Sequence, residues 1–155
     1  MLKVAKHKPV IHQLEAHPYV LSHIQEVIDI ASENGILTSA YAPLAPISSH
    51  PTGGPAKPIL EKIATRLSKE TGKAVDAQQA LLLWFRAKKI TPVTGSHTAS
   101  RMKQQAAVQQ LPDITAAEVA EVDEAGLKGK FAVPLVVYVL VLTGVWVWLF
   151  GSLLP

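Results

Sequence analysis

The sequence contains no cysteine. That excludes a disulfide scaffold, a Cys-ligated zinc site, an iron–sulfur cluster and a cysteine nucleophile. It has no run of basic residues, and its net charge of +3 is small and dispersed, so nothing points to nucleic acid as a partner. The opening MLKVAKHKP lacks the apolar core of a signal peptide. No HExxH occurs, and His12 and His17 stand five apart, the wrong spacing for a metal pair on a helix. Thr52-Gly-Gly-Pro-Ala56 lacks the Lys-Ser/Thr pair of a P-loop. Ser48, Ser49 and His50 are loop neighbours and do not build a triad.

Charge is also absent from one end. All 15 Lys/Arg and all 12 Asp/Glu lie in residues 1–130, and 19 of the 25 positions in 131–155 are apolar. Such a run is long enough to span a hydrocarbon core, which needs roughly 20 apolar residues. Lys128 and Lys130 precede it, and Trp146, Trp148 and Phe150 lie near its far end, where aromatic rings favour the interface. The expectation is a C-terminal transmembrane helix, with membrane contact through 131–155 and residues 1–130 in the cytoplasm by the positive-inside rule. Two other readings are a buried core segment and an extension foreign to the domain. In the last case the chain is simply cytoplasmic. The chain thus divides into a domain over 1–127 and a hydrophobic tail over 128–155.

Residues 1–130 alternate between strand and helix patterns. Met1–Lys8 reads as the end of a helix. Val10–Leu14 reads as a buried strand, and Ser22-His-Ile-Gln25 as a capping box opening a helix that Gly35 ends. Ile36–Tyr41 reads as a second strand, and Pro43–Lys57 as a long loop. Helices follow over Pro58–Lys69, closed by Gly72, and from the Asp76–Gln79 cap to Ala87. Ile90–Val93 reads as a third strand. A helix over Ala99–Gln109 and one from the Thr115–Glu118 cap to about Ala125 complete the series. The order β-α-β-α-α-β-α-α predicts an α/β fold with a parallel sheet and right-handed crossovers. Three parallel strands form a wall with open edges, so something should complete it.

Three segments carry a resemblance. Pro9-Val-Ile-His12-Gln13-Leu-Glu15-Ala-His17-Pro18-Tyr19 is similar to a strand motif usually written Asn-Gln-Ile-Glu-x-His-Pro-Tyr, with His12 in place of the commoner Asn. Asn34-Gly35-Ile36 through Ala40-Tyr41-Ala42-Pro43-Leu44 is similar to a Gly-Ile…Ala-Tyr-Ser-Pro-Leu segment. Val93-Thr94-Gly95-Ser96 through Arg101 is similar to a last-strand phosphate segment. Together, in order and over about residues 2–127, they resemble the aldo-keto reductases, in a variant closest to the fungal branch. That family is a (β/α)8 barrel of roughly 250 residues. The resemblance covers only its C-terminal portion, strands six to eight, and so implies a partial TIM barrel.

The resemblance implies an NADPH-dependent oxidoreductase that reduces a small carbonyl compound by hydride transfer. In the family, the position matching Gln13 bonds the nicotinamide carboxamide, and the one matching Tyr41 stacks on the ring. Positions matching Ala42 and Leu44 lie along the pyrophosphate. Those matching Ser96 and Arg101 bind the 2′-phosphate of NADP. Ala42 replaces the usual Ser, Gly95 a frequent Lys, and Gln104 and Gln105 a frequent Glu and Asn at the adenine, so NADP is implied over NAD less firmly. The catalytic Tyr, Lys, Asp and His belong to strands one to four and match no residue here. No catalytic residue and no metal ligand is therefore expected. Activity would require another chain, at the open barrel edge, or a longer gene product. The alternatives are a non-catalytic membrane-anchored remnant and a truncated gene product.

Overall fold

The computed structural model describes residues 4–50 and 52–129. They form a three-stranded parallel sheet, ordered β1 (Ile11–Glu15), β2 (Leu37–Tyr41), β3 (Thr91–Pro92). Between β1 and β2 runs α1 (Leu21–Glu33). A short α2 (Ala45–Ser48), then α3 (Ala56–Thr71) and α4 (Ala77–Ala87), lie between β2 and β3. After β3 come α5 (Ala99–Ala107), a 3-10 turn at Val108–Gln110, and α6 (Ala116–Lys128). The alternating order and parallel pairing are those expected from the sequence.

Several local expectations are corrected. Residues 4–8 are turn and irregular backbone rather than the end of a helix. Ser22 does not cap α1, which begins one residue earlier. Val20 precedes it with no side-chain cap, because the N–H groups of Val20 and Leu21 both bond the carbonyl of buried His17. The stretch 43–57 is not all loop, since it holds α2 and the first residues of α3. The third strand shrinks to Thr91–Pro92, and α6 continues past Ala125 to Lys128. The transmembrane expectation for 131–155 lies outside the described residues. Among those described, no helix is long and apolar enough to cross a membrane.

Other local signals appear where the sequence places them. Asp76 accepts from the N–H of Gln79 while the Gln79 side chain returns to the Asp76 N–H. Thr115 and Glu118 do the same for α6. Each box satisfies two backbone donors that a helix start leaves open. Gly35 and Gly72 follow their helices with φ of +70° and +66°, a left-handed conformation that costs a side-chain-bearing residue about 1 kcal/mol or more.

The core lies on one side of the sheet. Leu60, Ile63 and Leu67 of α3 pack with Leu81, Leu83, Trp84 and Phe85 of α4 and Val122 of α6. Positions 79–85 of α4 are all buried, so this helix has no solvent face over two turns. Trp84 meets Phe85 edge-on at 5.0 Å, and its Nε1–H donates to Asp123 Oδ1 at 2.9 Å, tying α4 to α6. Lys88 pairs with the other oxygen of Asp123.

Much of the other side of the sheet is exposed. Register and the two-residue period place Ile11, Gln13, Glu15, Leu37, Ser39 and Tyr41 on one face. Ile11 is 57% exposed, Leu37 58% and Tyr41 49%. The expectation of a buried first strand is therefore corrected. An apolar run identifies a strand but not which of its faces is covered.

Tyr19 joins the sheet end to the helices. Its hydroxyl donates to the Gly53 carbonyl at 2.9 Å and accepts from the N–H of Ala56, the first residue of α3, at 3.1 Å. Beside it, Gly126 of α6 sits against the Pro18 backbone, where an added Cβ would stand 2.3 Å from the Pro18 carbonyl oxygen. Backbone cannot yield as a flexible side chain can. Gly126→Ala is expected to lower the unfolding free energy by about 1–3 kcal/mol, as other overpacking substitutions do. Urea unfolding checks this, and an unchanged midpoint would refute the contact.

Candidate functional site

The turn after β2 and the segment after β3 face each other across a cleft of about 480 Å³. One wall is Ala42, Pro43, Leu44 and Ala45, and the other runs from Thr94 to Thr98 with Arg101 and Gln105. Both walls follow the C-terminal ends of parallel strands, where open α/β sheets place their ligand crevices. Ala42 has φ of +50°, an uncommon conformation for a residue with a Cβ. Its carbonyl accepts from the Ala45 N–H at 3.0 Å, closing the turn. Backbone strain of this kind concentrates at functional sites.

On the facing wall, α5 starts without a side-chain cap. The first intrahelical bond is from the Met102 N–H to the Thr98 carbonyl, at 3.1 Å. The N–H groups of Ala99, Ser100 and Arg101 thus have no acceptor within the helix. Ser96 Oγ accepts from the Thr98 N–H at 3.1 Å and shapes the turn into α5. Thr94 Oγ1 donates to Gln105 Oε1 at 2.9 Å. Arg101 stands in the first turn of α5, exposed and, among the described residues, without an ion-pair partner. Open N–H groups, the positive end of a helix and an uncommitted guanidinium suit an anion, and a phosphate in particular.

Four of the six residues singled out in the sequence, Ala42, Leu44, Ser96 and Arg101, therefore share one cleft. Gln13 and Tyr41 lie outside it, on the open sheet face. Gln13 Nε2 donates to Ser39 Oγ at 3.4 Å, and Tyr41 Oη donates to Glu15 Oε2 at 3.5 Å. Tyr41 adjoins Ala42, so the open face and the cleft meet at that residue. Gln105 is partly buried in the cleft while Gln104 is exposed, and the Gln104 carbonyl accepts from buried Gln79. A larger cavity of about 700 Å³ runs along β3, lined by Leu82, Ile90, Pro92, Met102 and Val108. Its one guanidinium, Arg86, is already committed to Asp113 and to the carbonyls of Val108 and Leu111. Size favours that cavity, but converging polar groups favour the cleft. Among the described residues no group of His, Asp and Glu is placed to hold a metal ion.

His17 is fully buried, edge-on to Tyr19 at 6.0 Å. Its Nε2 lies 3.3 Å from Glu15 Oε1. A carboxylate only accepts, so Nε2 carries the proton. Burial pushes the His17 pKa below the usual 6.5, outweighing the opposing pull of Glu15. The folded chain then binds fewer protons than the unfolded one in the window below 6.5. Stability is full above that pH and falls as the pH drops through the window. Urea unfolding at pH 7.5 and 5.5 should show the loss, and His17→Gln should flatten it. Equal slopes in both proteins would refute the assignment. The Arg66–Glu118 pair acts in the same direction at lower pH. Burial alone would raise the Glu118 pKa, but the bonds from Arg66 and Thr115 bring it below the usual carboxylate value.

No family model matches the chain. Curated relatives do. It is 30% identical to an NADPH-dependent alpha-keto amide reductase of Saccharomyces cerevisiae, over 83% of this chain and 40% of that protein. It is 30% identical to a glycerol 2-dehydrogenase (NADP(+)) of Hypocrea jecorina, over 73% of this chain and 34% of that protein. An aldose reductase structure from Giardia lamblia superposes with a TM-score of 0.63 at 17% identity, over 84% of this chain and 41% of that one. The chain spans well under half the length of these proteins. The curated relatives and the solved structures it matches are aldo-keto reductases, and the described residues carry a three-strand portion of that fold.

Proposed function

We propose that the cleft binds the 2′-phosphate half of NADP, and that this chain is the cofactor-holding share of an NADPH-dependent carbonyl reductase. The observation that carries the reading is the meeting of Ala42 and Leu44 with Ser96 and Arg101 at the uncapped start of α5. These segments lie far apart in sequence and converge on one cleft.

The donor set fits the cofactor. Arg101 and the first N–H groups of α5 would hold the 2′-phosphate, with Ser96 adding a hydroxyl. The backbone of Ala42 and Leu44 would line the pyrophosphate. Tyr41 would offer a ring face to the nicotinamide, and Gln13 an amide to its carboxamide. When bound, NADPH supplies the hydride, and the chain's own residues bind and orient it. The general acid for the carbonyl oxygen would come from strands beyond these three, in a longer product or a partner chain at the open sheet edge. A small aldehyde or ketone is the substrate class.

Titrating the full chain with 2′,5′-ADP and with 5′-AMP tests the cleft. Preference for the 2′-phosphorylated nucleotide is expected. Equal binding, or none, would overturn the reading.

A further inference from the structure

Glu15 is an acidic side chain on the open sheet face, beside Tyr41. It is 45% exposed, and its two oxygens face different partners. Oε2 accepts from Tyr41 Oη at 3.5 Å, and Oε1 faces His17 Nε2 at 3.3 Å. Cross-strand register puts Glu15 opposite Tyr41 on β2. Among the described residues no Lys or Arg pairs with Glu15, and its one ion-pair neighbour is the buried His17. His17 thus anchors the carboxylate without a permanent cation to offset it. Glu15 in turn restrains the phenol of Tyr41, the residue that precedes Ala42 of the cleft.

Resting on the cofactor reading above, we propose that Glu15 is a specificity-determining and positioning residue for the cofactor's redox state. It holds the Tyr41 ring and sets a negative charge beside the ring laid upon it. The oxidised nicotinamide is a cation and the reduced one is neutral. A carboxylate on that face therefore favours NADP⁺ over NADPH, and the preference is electrostatic. At a separation of several ångströms near a surface, one unit charge corresponds to about a three- to tenfold difference in affinity. The site thus favours the ring that has given up its hydride. Nothing in the phosphate cleft distinguishes the two states, because both carry the same 2′-phosphate.

The test is a set of titrations of the full chain with NADP⁺, NADPH and 2′,5′-ADP. Glu15→Gln keeps an oxygen acceptor for Tyr41 and removes the charge. It should lower the NADP⁺-to-NADPH affinity ratio about three- to tenfold and leave 2′,5′-ADP binding unchanged. Glu15→Ala should lower the ratio equally and also weaken both dinucleotides, because Tyr41 loses its restraint. Raising the salt should narrow the wild-type ratio and not that of Glu15→Gln. Intact 2′,5′-ADP binding with an unchanged ratio in Glu15→Gln would overturn the role of Glu15 alone. Failure of the wild-type chain to bind 2′,5′-ADP would overturn the cleft reading, and this proposal with it.

Discussion

Replacing Arg101 with Ala is expected to weaken 2′,5′-ADP binding about ten- to a hundredfold while leaving 5′-AMP almost unaffected. The magnitude follows from hydrogen bonds to charged groups, worth about 1.5–3 kcal/mol. The selectivity follows from geometry. Arg101 lines the cleft in the first turn of α5 and, among the described residues, is not committed to a carboxylate. Arg66 and Arg86 differ in this respect, since each is held by acidic partners. Arg101→Lys should fall between, since a point charge keeps attraction but loses the planar fork. Because the site is exposed, the wild-type preference should shrink as salt rises. Calorimetry of the two nucleotides against the three proteins measures this. An Arg101→Ala chain that keeps the full preference would place the phosphate elsewhere.

The largest effect on stability is expected at Trp84. Trp84→Ala should lower the unfolding free energy by about 3–5 kcal/mol. That is a large share of the total for a domain of this size. The indole is wholly buried, edge-on to Phe85, and bonded through Nε1 to Asp123. Truncation therefore opens a cavity in α4 and also removes the polar tie to α6. Trp84→Phe separates the two contributions. It keeps most of the packing, and Asp123 stays held by Lys88, so the loss should be nearer 1–2 kcal/mol. Urea unfolding followed by circular dichroism gives both values. Equal losses in the two variants would mean that the hydrogen bond, rather than the ring volume, carries the site.

What the sequence reveals depends on how local the cause is. The Asp76–Gln79 and Thr115–Glu118 boxes are readable because partner and target lie within four residues. Ser22 and Gln25 have the same spelling, yet the buried His17–Tyr19 segment dictates how the chain enters α1. Tyr19 is the clearest gap. Its partners are Gly53 and Ala56, more than 30 residues away, and no periodicity announces them. The cleft residues are legible through resemblance, not pattern. Nothing in the composition of Ser96 or Arg101 says that they meet Ala42. The open sheet face is illegible for another reason, because an exposed Ile11 and a buried one are spelled alike.

The register of the sheet also bears on the order of assembly. Partners on β1 and β2 are 26 residues apart in sequence, while those on β2 and β3 are 52 apart. Each doubling of a closed loop adds about 0.6 kcal/mol of entropic cost. The second pairing also gains less, because β3 contributes two residues where β1 contributes five. On loop-closure entropy alone, β1, α1 and β2 come together first, and β3 arrives once α3 and α4 have shortened the distance. The two walls of the cleft lie on opposite sides of that second closure, so the cleft comes into being in its final step.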